Sequence, residues 1–222
     1  MTWLGRLYIW ATYRLYDELA WAYDLVSWAV SLGRARGLRL AALDHVTGRR
    51  VLEIGFGTAD LLAEMARRDL EPVGLDASPA MHRVAARKLA RRGLEAPRVR
   101  AVTQGLPFPD GSFDAVVSTF PAGYIMHAAT LREVARLLRP PDPVTGQGGG
   151  RFIVAGLVVE IAVPALQRAV QALLGWEDRA VVERFANLVQ AAGFGVKVLE
   201  AQNGWLRAPL VVAERRPGGQ AR

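Results

Sequence analysis

Glu53, Gly55, Gly57, Ala59 and Asp60 fall within one decapeptide, Val51-Leu-Glu-Ile-Gly-Phe-Gly-Thr-Ala-Asp60. An acid followed by two closely spaced glycines can hold a nucleotide-like ligand. Glycine lets the ligand press against bare backbone, and a following helix start offers unpaired N–H groups. The flanking sequence supplies both elements. Val51 to Ile54 read as a strand buried on both faces, and Leu61, Leu62, Met65 and Ala66 recur at helical spacing. A dinucleotide fits poorly. Its G-x-G-x-x-G/A fingerprint would place the third small residue at position 60, where the Asp60 carboxylate would repel a pyrophosphate. A second acid, Asp76, ends the short strand Glu71-Pro-Val-Gly-Leu-Asp76 and lies 21 residues after Gly55. A carboxylate there can accept both hydroxyls of a ribose. Ser78 and Pro79 then read as the N-cap and first residue of a helix.

The E-x-G-x-G-x-[GA] spacing of Glu53, Gly55, Gly57 and Ala59 resembles motif I of the class I S-adenosylmethionine-dependent methyltransferases. Asp76-Ala-Ser-Pro-Ala-Met81 resembles their second motif, and Leu106-Pro-Phe-Pro-Asp-Gly-Ser-Phe-Asp-Ala-Val-Val-Ser118 their L-P-F-x-D-x-S-F-D segment. The resemblance covers residues 45 to 156 and is to the branch that holds the quinone-biosynthesis C-methyltransferases and many lipid and small-molecule methyltransferases. It implies S-adenosyl-L-methionine as cofactor, whose ammonium and sulfonium suit an acid at Glu53. It also assigns Gly55, Gly57, Asp76, Ala77 and Met81 to the cofactor site, joined by Gln104, Gly105, Leu106 and Thr119. The family's Asp-Ala pair ahead of Leu106 is replaced by Val102 and Thr103. The adenine amine then falls to Gln104, whose amide both donates and accepts, or to backbone groups alone. Tyr23 of Tyr23-Asp24 resembles a tyrosine that closes the cofactor pocket in many relatives, and Tyr16-Asp17 offers the same dipeptide in another register.

Strands are predicted at 51–54, 72–75, 98–102, 113–118, 151–155, 196–201 and 209–214, with helices between the first five. Alternation of this kind specifies an α/β fold with a doubly wound, Rossmann-like sheet. The resemblance implies seven mostly parallel strands, the last antiparallel, with residues 202–207 turning a terminal hairpin. Such sheets bind ligands beyond the carboxyl ends of their strands, where strand order reverses. The expected organisation is an N-terminal helical lid or extension over 1–44, the methyltransferase domain over 45–216 and a disordered tail over 217–222. The Pro- and Gly-rich run from Arg139 to Gly150 reads as a long loop entering the fifth strand, away from the cofactor face.

Composition narrows the function. With 222 residues and 51% hydrophobic content, one sizeable core can form. No apolar run is long enough to span a membrane, and no small-residue cleavage site follows the N-terminal aromatics. Cysteine is absent and only three histidines occur, so disulfides and thiolate metal sites are excluded and a metal enzyme is disfavoured. The expected location is cytoplasmic, with peripheral contact at the inner face of the membrane as an open alternative. The net charge of +7 is almost all arginine, Lys88 and Lys197 being the two lysines. Attraction to nucleic acid or to a membrane surface is one reading of that charge. Arginine spread over solvated faces is the other, and it is the reading for the densest cluster, Arg83 to Arg92, whose Val84, Ala85 and Leu89 would face the sheet. No RNA-binding appendage accompanies this cluster.

The acceptor must be sought outside the motifs. Trp3, Trp10, Trp21 and Trp28 would form one stripe on a continuous N-terminal helix. That stripe suits a bilayer interface, or a lid packed on the substrate pocket; Asp17, Glu18 and Asp24 weigh for the lid. The apolar run Gly156 to Gly175 reads as core or as one wall of a greasy tunnel. Both regions would suit a small apolar or lipid-like acceptor. Methyl transfer is an in-line displacement, so alignment carries much of the catalysis. Tyr124 and His127, after the fourth strand, are the candidates for a general base, although His127 also sits where it would flank a helix. Two rivals stand beside this reading: a methyltransferase acting on nucleic acid or protein, and a non-catalytic adenosine-binding module.

Overall fold

The computed structural model describes residues 25, 27–28, 31–161, 168 and 179–216. Tyr23, Trp3, Trp10, Trp21, the tail over 217–222 and most of the apolar run after Ile161 lie outside the described residues.

Eight strands form one sheet: β1 (Arg50–Ile54), β2 (Glu71–Asp76), β3 (Arg98–Arg100), β4 (Ala115–Thr119), β5 (Arg151–Ala155), β6 (Glu160–Ile161), β7 (Phe194–Asn203) and β8 (Leu206–Arg215). The helices are α1 (Ala35–Ala41), α2 (Asp60–Arg67), α3 (Pro79–Arg91), α4 (Ala128–Leu137) and α5 (Ala180–Ala191). From one edge the strands run β3-β2-β1-β4-β5-β8, and β7 pairs along the outer side of β8. β1 through β5 are parallel, and β8 is antiparallel to both β5 and β7. Strand order therefore reverses between β1 and β4.

The sheet is covered on both faces because its strands alternate two apolar sets. Leu52 and Ile54 join Val116, Phe152 and Val154 beneath α4 and α5, with Leu131, Val134, Phe185 and Val189. Val51 joins Ala115, Val117 and Ile153 on the other face, against Leu61, Leu62, Ala85 and Leu89 of α2 and α3. By the same period of two, Glu53 falls on the α2 face. α1 closes a third cluster, in which Leu38 packs on Ala201, Leu206 and Ala208. The 3-10 turn after α1 buries Ala42 and Leu43 in the domain core.

Several elements differ from their expected extents. No helix joins β3 to β4; residues 101–114 run as turns, because Gly105, Pro107, Pro109 and Gly111 interrupt any helical hydrogen-bond ladder. β3 stops at Arg100, and β4 begins at Ala115, two residues late, since Phe113 packs under Phe108 and makes only an isolated bridge to Leu138. The hairpin needs only Gly204 and Trp205 between its strands, and Gly204 takes φ +60° at that tight turn. β6 is an addition: after a break at Gly156 it pairs with Arg207 and Leu206 on the same side of β8 as β5.

Candidate active site

The carboxyl ends of β1, β2 and β4 meet at the reversal of strand order. Glu53 is 2% exposed there, and its Oε2 is buried without a hydrogen-bond partner. Burial raises its carboxyl well above the ordinary value; Arg39 opposes that, while Asp60 and Asp76 add to it. A buried carboxylate oxygen with no partner is costly unless a cation or donor completes it.

Gly55 and Gly57 follow with φ +74° and +53°, a region open to glycine and strained for other residues. A Cβ on Gly55 would strike the Tyr124 hydroxyl, whereas one on Gly57 would meet open space. Ala59 also takes a left-handed conformation, φ 66°, at the N-cap of α2. Asp76 is 3% exposed and fastens the glycine turn to β2: its Oδ2 accepts the Gly57 N–H at 3.0 Å and its Oδ1 the Ser78 N–H at 2.9 Å. A carboxylate at this strand end is the acceptor type that ribose hydroxyls call for. Ser78 caps α3 as expected, accepting the Met81 N–H at 3.3 Å.

Several expected site residues take other roles. The Met81 side chain is fully buried beneath α3, and Ala77 is exposed with its carbonyl accepting from Arg100. Leu106 is buried, and its N–H is donated to Glu133 at 2.7 Å. Gln104 and Gly105 are exposed on the same loop, beside Val102, which is 62% exposed where the family pattern has an acid. Thr119 ends β4, half-buried. Tyr124 lies on the 3-10 turn Gly123–Met126; its hydroxyl donates to the Ile54 carbonyl at 3.3 Å and meets Ser118 Oγ at 3.1 Å. Burial holds its phenol well above the ordinary value, with the Ser118 bond a smaller opposing effect. Tyr124 is thus a neutral donor, unsuited to take a proton. His127 is exposed at the N-cap of α4 and makes no capping bond through its side chain.

The sequence reading missed the residues that brace this site. Lys88 Nζ donates to Thr58 Oγ1 and Asp60 Oδ1, both at 2.9 Å, tying α3 to the glycine turn. The solvated-face reading of the Arg83–Arg92 cluster is therefore corrected at Lys88, whose side chain is only 16% exposed. Burial pushes the Asp60 carboxyl up, but Lys88, Arg39 and Arg92 outweigh it and hold it low. Arg39 also lies over the Phe120 ring at 5.4 Å, linking α1 to the end of β4. Arg136 clamps the 106–110 loop through the Leu106 and Phe108 carbonyls, Asp110 and Glu133. Thr103 and Thr130 share a buried 2.8 Å bond, and Thr130 donates to the Tyr124 carbonyl. Lys88 carried the one usable signal, being one of two lysines in a chain whose other cations are arginine.

The residues present fit S-adenosylmethionine. The unpartnered Glu53 oxygen suits an ammonium, the open face of Gly57 admits close approach, and Asp76 suits a ribose. Past the ends of β4 and β5 the wall turns apolar and half-buried, through Phe120, Met126, Leu157, Val159 and Ile161. Phe120 holds φ 49°, and its ring fills the space a Cβ on Gly156 would need. Among the described residues no group of His, Asp or Glu could hold a metal ion, and no helix is long and apolar enough to cross a membrane.

Comparison with known proteins agrees with this geometry. Residues 51–141 match the family model described as "Methyltransferase domain". The demethylmenaquinone methyltransferase of Mycobacterium sp. (strain KMS) is 32% identical over 209 residues, spanning 81% of this chain and 84% of the relative. The Thermus thermophilus enzyme of the same name is 35% identical over 146 residues, 63% of each chain. Among solved structures, a putative S-adenosyl-L-methionine-dependent methyltransferase from Methanococcus maripaludis superposes with a TM-score of 0.64 at 18% identity, covering 90% of this chain and 94% of that one, which speaks to the fold alone.

Proposed function

The chain belongs to the class I S-adenosylmethionine-dependent methyltransferases of the quinone-biosynthesis branch, and from that premise we propose that it methylates a small, lipid-like acceptor, a demethylmenaquinone-type quinol, at a ring carbon. The observation that carries the acceptor is the likeness, over 81% of this chain, to a relative named for that substrate. The half-buried apolar wall after β4 and β5 supports it.

Bound S-adenosylmethionine supplies a methyl group activated by a sulfonium. The chain's own task is to align the two reactants in line and keep water from the apolar end, where alignment can contribute several powers of ten in rate. Glu53 holds the positive end of the cofactor and Asp76 the ribose. Tyr124, kept neutral, roofs Gly55 and holds the end of β1 through its hydrogen bond to the Ile54 carbonyl. A ring carbon that gains a methyl must lose a proton, and an electron-rich hydroquinone is the nucleophilic form. His127, exposed after β4, is the base we assign to that proton.

The test is transfer of labelled methyl from S-adenosylmethionine into a cell extract separated into organic, aqueous and macromolecular fractions. Label in the organic fraction is the expected result. Label confined to RNA, DNA or protein would overturn the lipid-like acceptor.

A further inference from the structure

A groove of about 730 Å³ runs between the segment ending in α1 and the helices α2 and α3, beside the glycine turn. Among the described residues Arg36, Arg39, Arg67, Lys88 and Arg92 line it, with Asp60 and Glu64 as the acids. Each of those carboxylates is shared among cations: Asp60 among Lys88, Arg92 and Arg39, and Glu64 among Arg36, Arg67 and Arg68. Guanidinium groups crowded this way keep donors directed at a further anion, and their fork geometry matches phosphate oxygens.

The lip of the groove is apolar. Leu25 is 66% exposed and Trp28 60%, one turn apart on a helix, and Leu32, just past its end, is 58% exposed. Leu32 is the telling member. It holds φ 49° at the helix end, where the Gly33 N–H reaches the Trp28 carbonyl at 3.0 Å. That left-handed position favours glycine, so a leucine there is strained and also exposed. An aromatic and two leucines beside a cluster of arginines is the arrangement that seats a protein in the headgroup layer of a bilayer.

We propose that this face docks the protein on an anionic phospholipid surface, with headgroup phosphates in the basic groove and Leu25, Trp28 and Leu32 at the acyl boundary. The inference concerns location and does not depend on which acceptor is methylated. Free phosphate would satisfy the arginines but leaves the apolar lip without a role.

Co-sedimentation of the full chain with vesicles tests it. Phosphatidylcholine vesicles containing phosphatidylglycerol should carry the protein down, and pure phosphatidylcholine vesicles should not. Each arginine removed from the groove should lower partitioning about fivefold at low salt, so Arg36→Gln with Arg67→Gln should cost more than tenfold. Trp28→Ser should weaken binding in a way that salt does not mask. Arg184→Gln with Lys197→Gln, on exposed positions of α5 and β7, should leave binding unchanged. Equal loss in that control would reduce the effect to net charge and overturn the proposal. So would binding to neutral vesicles alone, or binding of inorganic phosphate without vesicle binding. Titration with S-adenosylhomocysteine on the same samples keeps the two readings apart: intact cofactor binding without vesicle binding sinks the docking face alone.

Discussion

The Tyr124 hydroxyl stands over Gly55, in the space a Cβ on that residue would fill, anchored by the Ile54 carbonyl and Ser118. A residue that follows β4 thus roofs the turn after β1, and the space over Gly55 is already taken. Gly55→Ala must displace the tyrosine or distort a backbone at φ +74°, and should abolish binding of S-adenosylhomocysteine in calorimetry.

Tyr124→Phe separates donor from base. The loss of its hydrogen bonds should cost about 1 kcal/mol of stability, read by urea melts, since Ser118 keeps its own 2.8 Å bond to the Ile54 carbonyl. Because burial keeps the phenol neutral, the shape of the pH–rate profile should not move. Disappearance of one limb would show that Tyr124 titrates in catalysis.

Glu53→Gln should raise stability and weaken cofactor binding together. The folded carboxyl is raised above its ordinary value of 4.5, so the native state binds the proton more tightly than the unfolded chain. Stability attributable to Glu53 is then full below 4.5 and falls as pH rises through the raised value. The neutral amide escapes that loss. Its melting temperature should exceed the wild type's by a few degrees near neutral pH, as about 1 kcal/mol gives in a domain of this size, and the gap should close in acid. A lower melting temperature at neutral pH would contradict a carboxyl destabilised chiefly by burial.

Glu133 and Arg136 hold the 106–110 loop, which neighbours the residues expected at the adenine. Arg136→Ala leaves the Leu106 and Phe108 carbonyls and Glu133 without their shared partner, an expected cost of about 2 kcal/mol. Hydrogen exchange should speed up first at residues 104–110, and affinity for S-adenosylhomocysteine should fall. Glu133 is held low chiefly by its Arg136 bond, so its share of stability is present above the ordinary carboxylate range and lost as pH falls below it. Arg136→Ala should flatten that acid limb.

His127→Gln is the decisive variant for proton removal. Cofactor affinity should be unchanged, because the ring is exposed and caps nothing, while turnover falls by about 100-fold or more, within the range of general-base catalysis. Unchanged turnover would remove His127 from the mechanism.

What could be read in advance follows from physical range. Glu53, the glycines and Asp76 lie within two strand-to-helix junctions, where spacing alone dictates geometry, and the alternation of strands with amphipathic helices dictates the doubly wound sheet. Lys88, Ser118 and the Thr103–Thr130 pair act across 27 to 64 residues of chain in the bonds that carry them. No local period marks such partners. Lys88 shows the difficulty well: its helix turns three exposed arginines to water, and only the approach of α2 shows that this one cation folds inward. The break at Gly156 and the strained Phe120 escaped notice because each is explained by the other's packing.

The most direct test of the account is incubation of the purified chain with S-adenosylmethionine and chemically reduced demethylmenaquinone, followed by mass analysis of the quinone. The account predicts a product one methyl heavier, with the new group on a ring carbon and S-adenosylhomocysteine formed in equal amount. Tight binding of S-adenosylhomocysteine with no methylated quinone would contradict it and assign the cofactor site to a different acceptor.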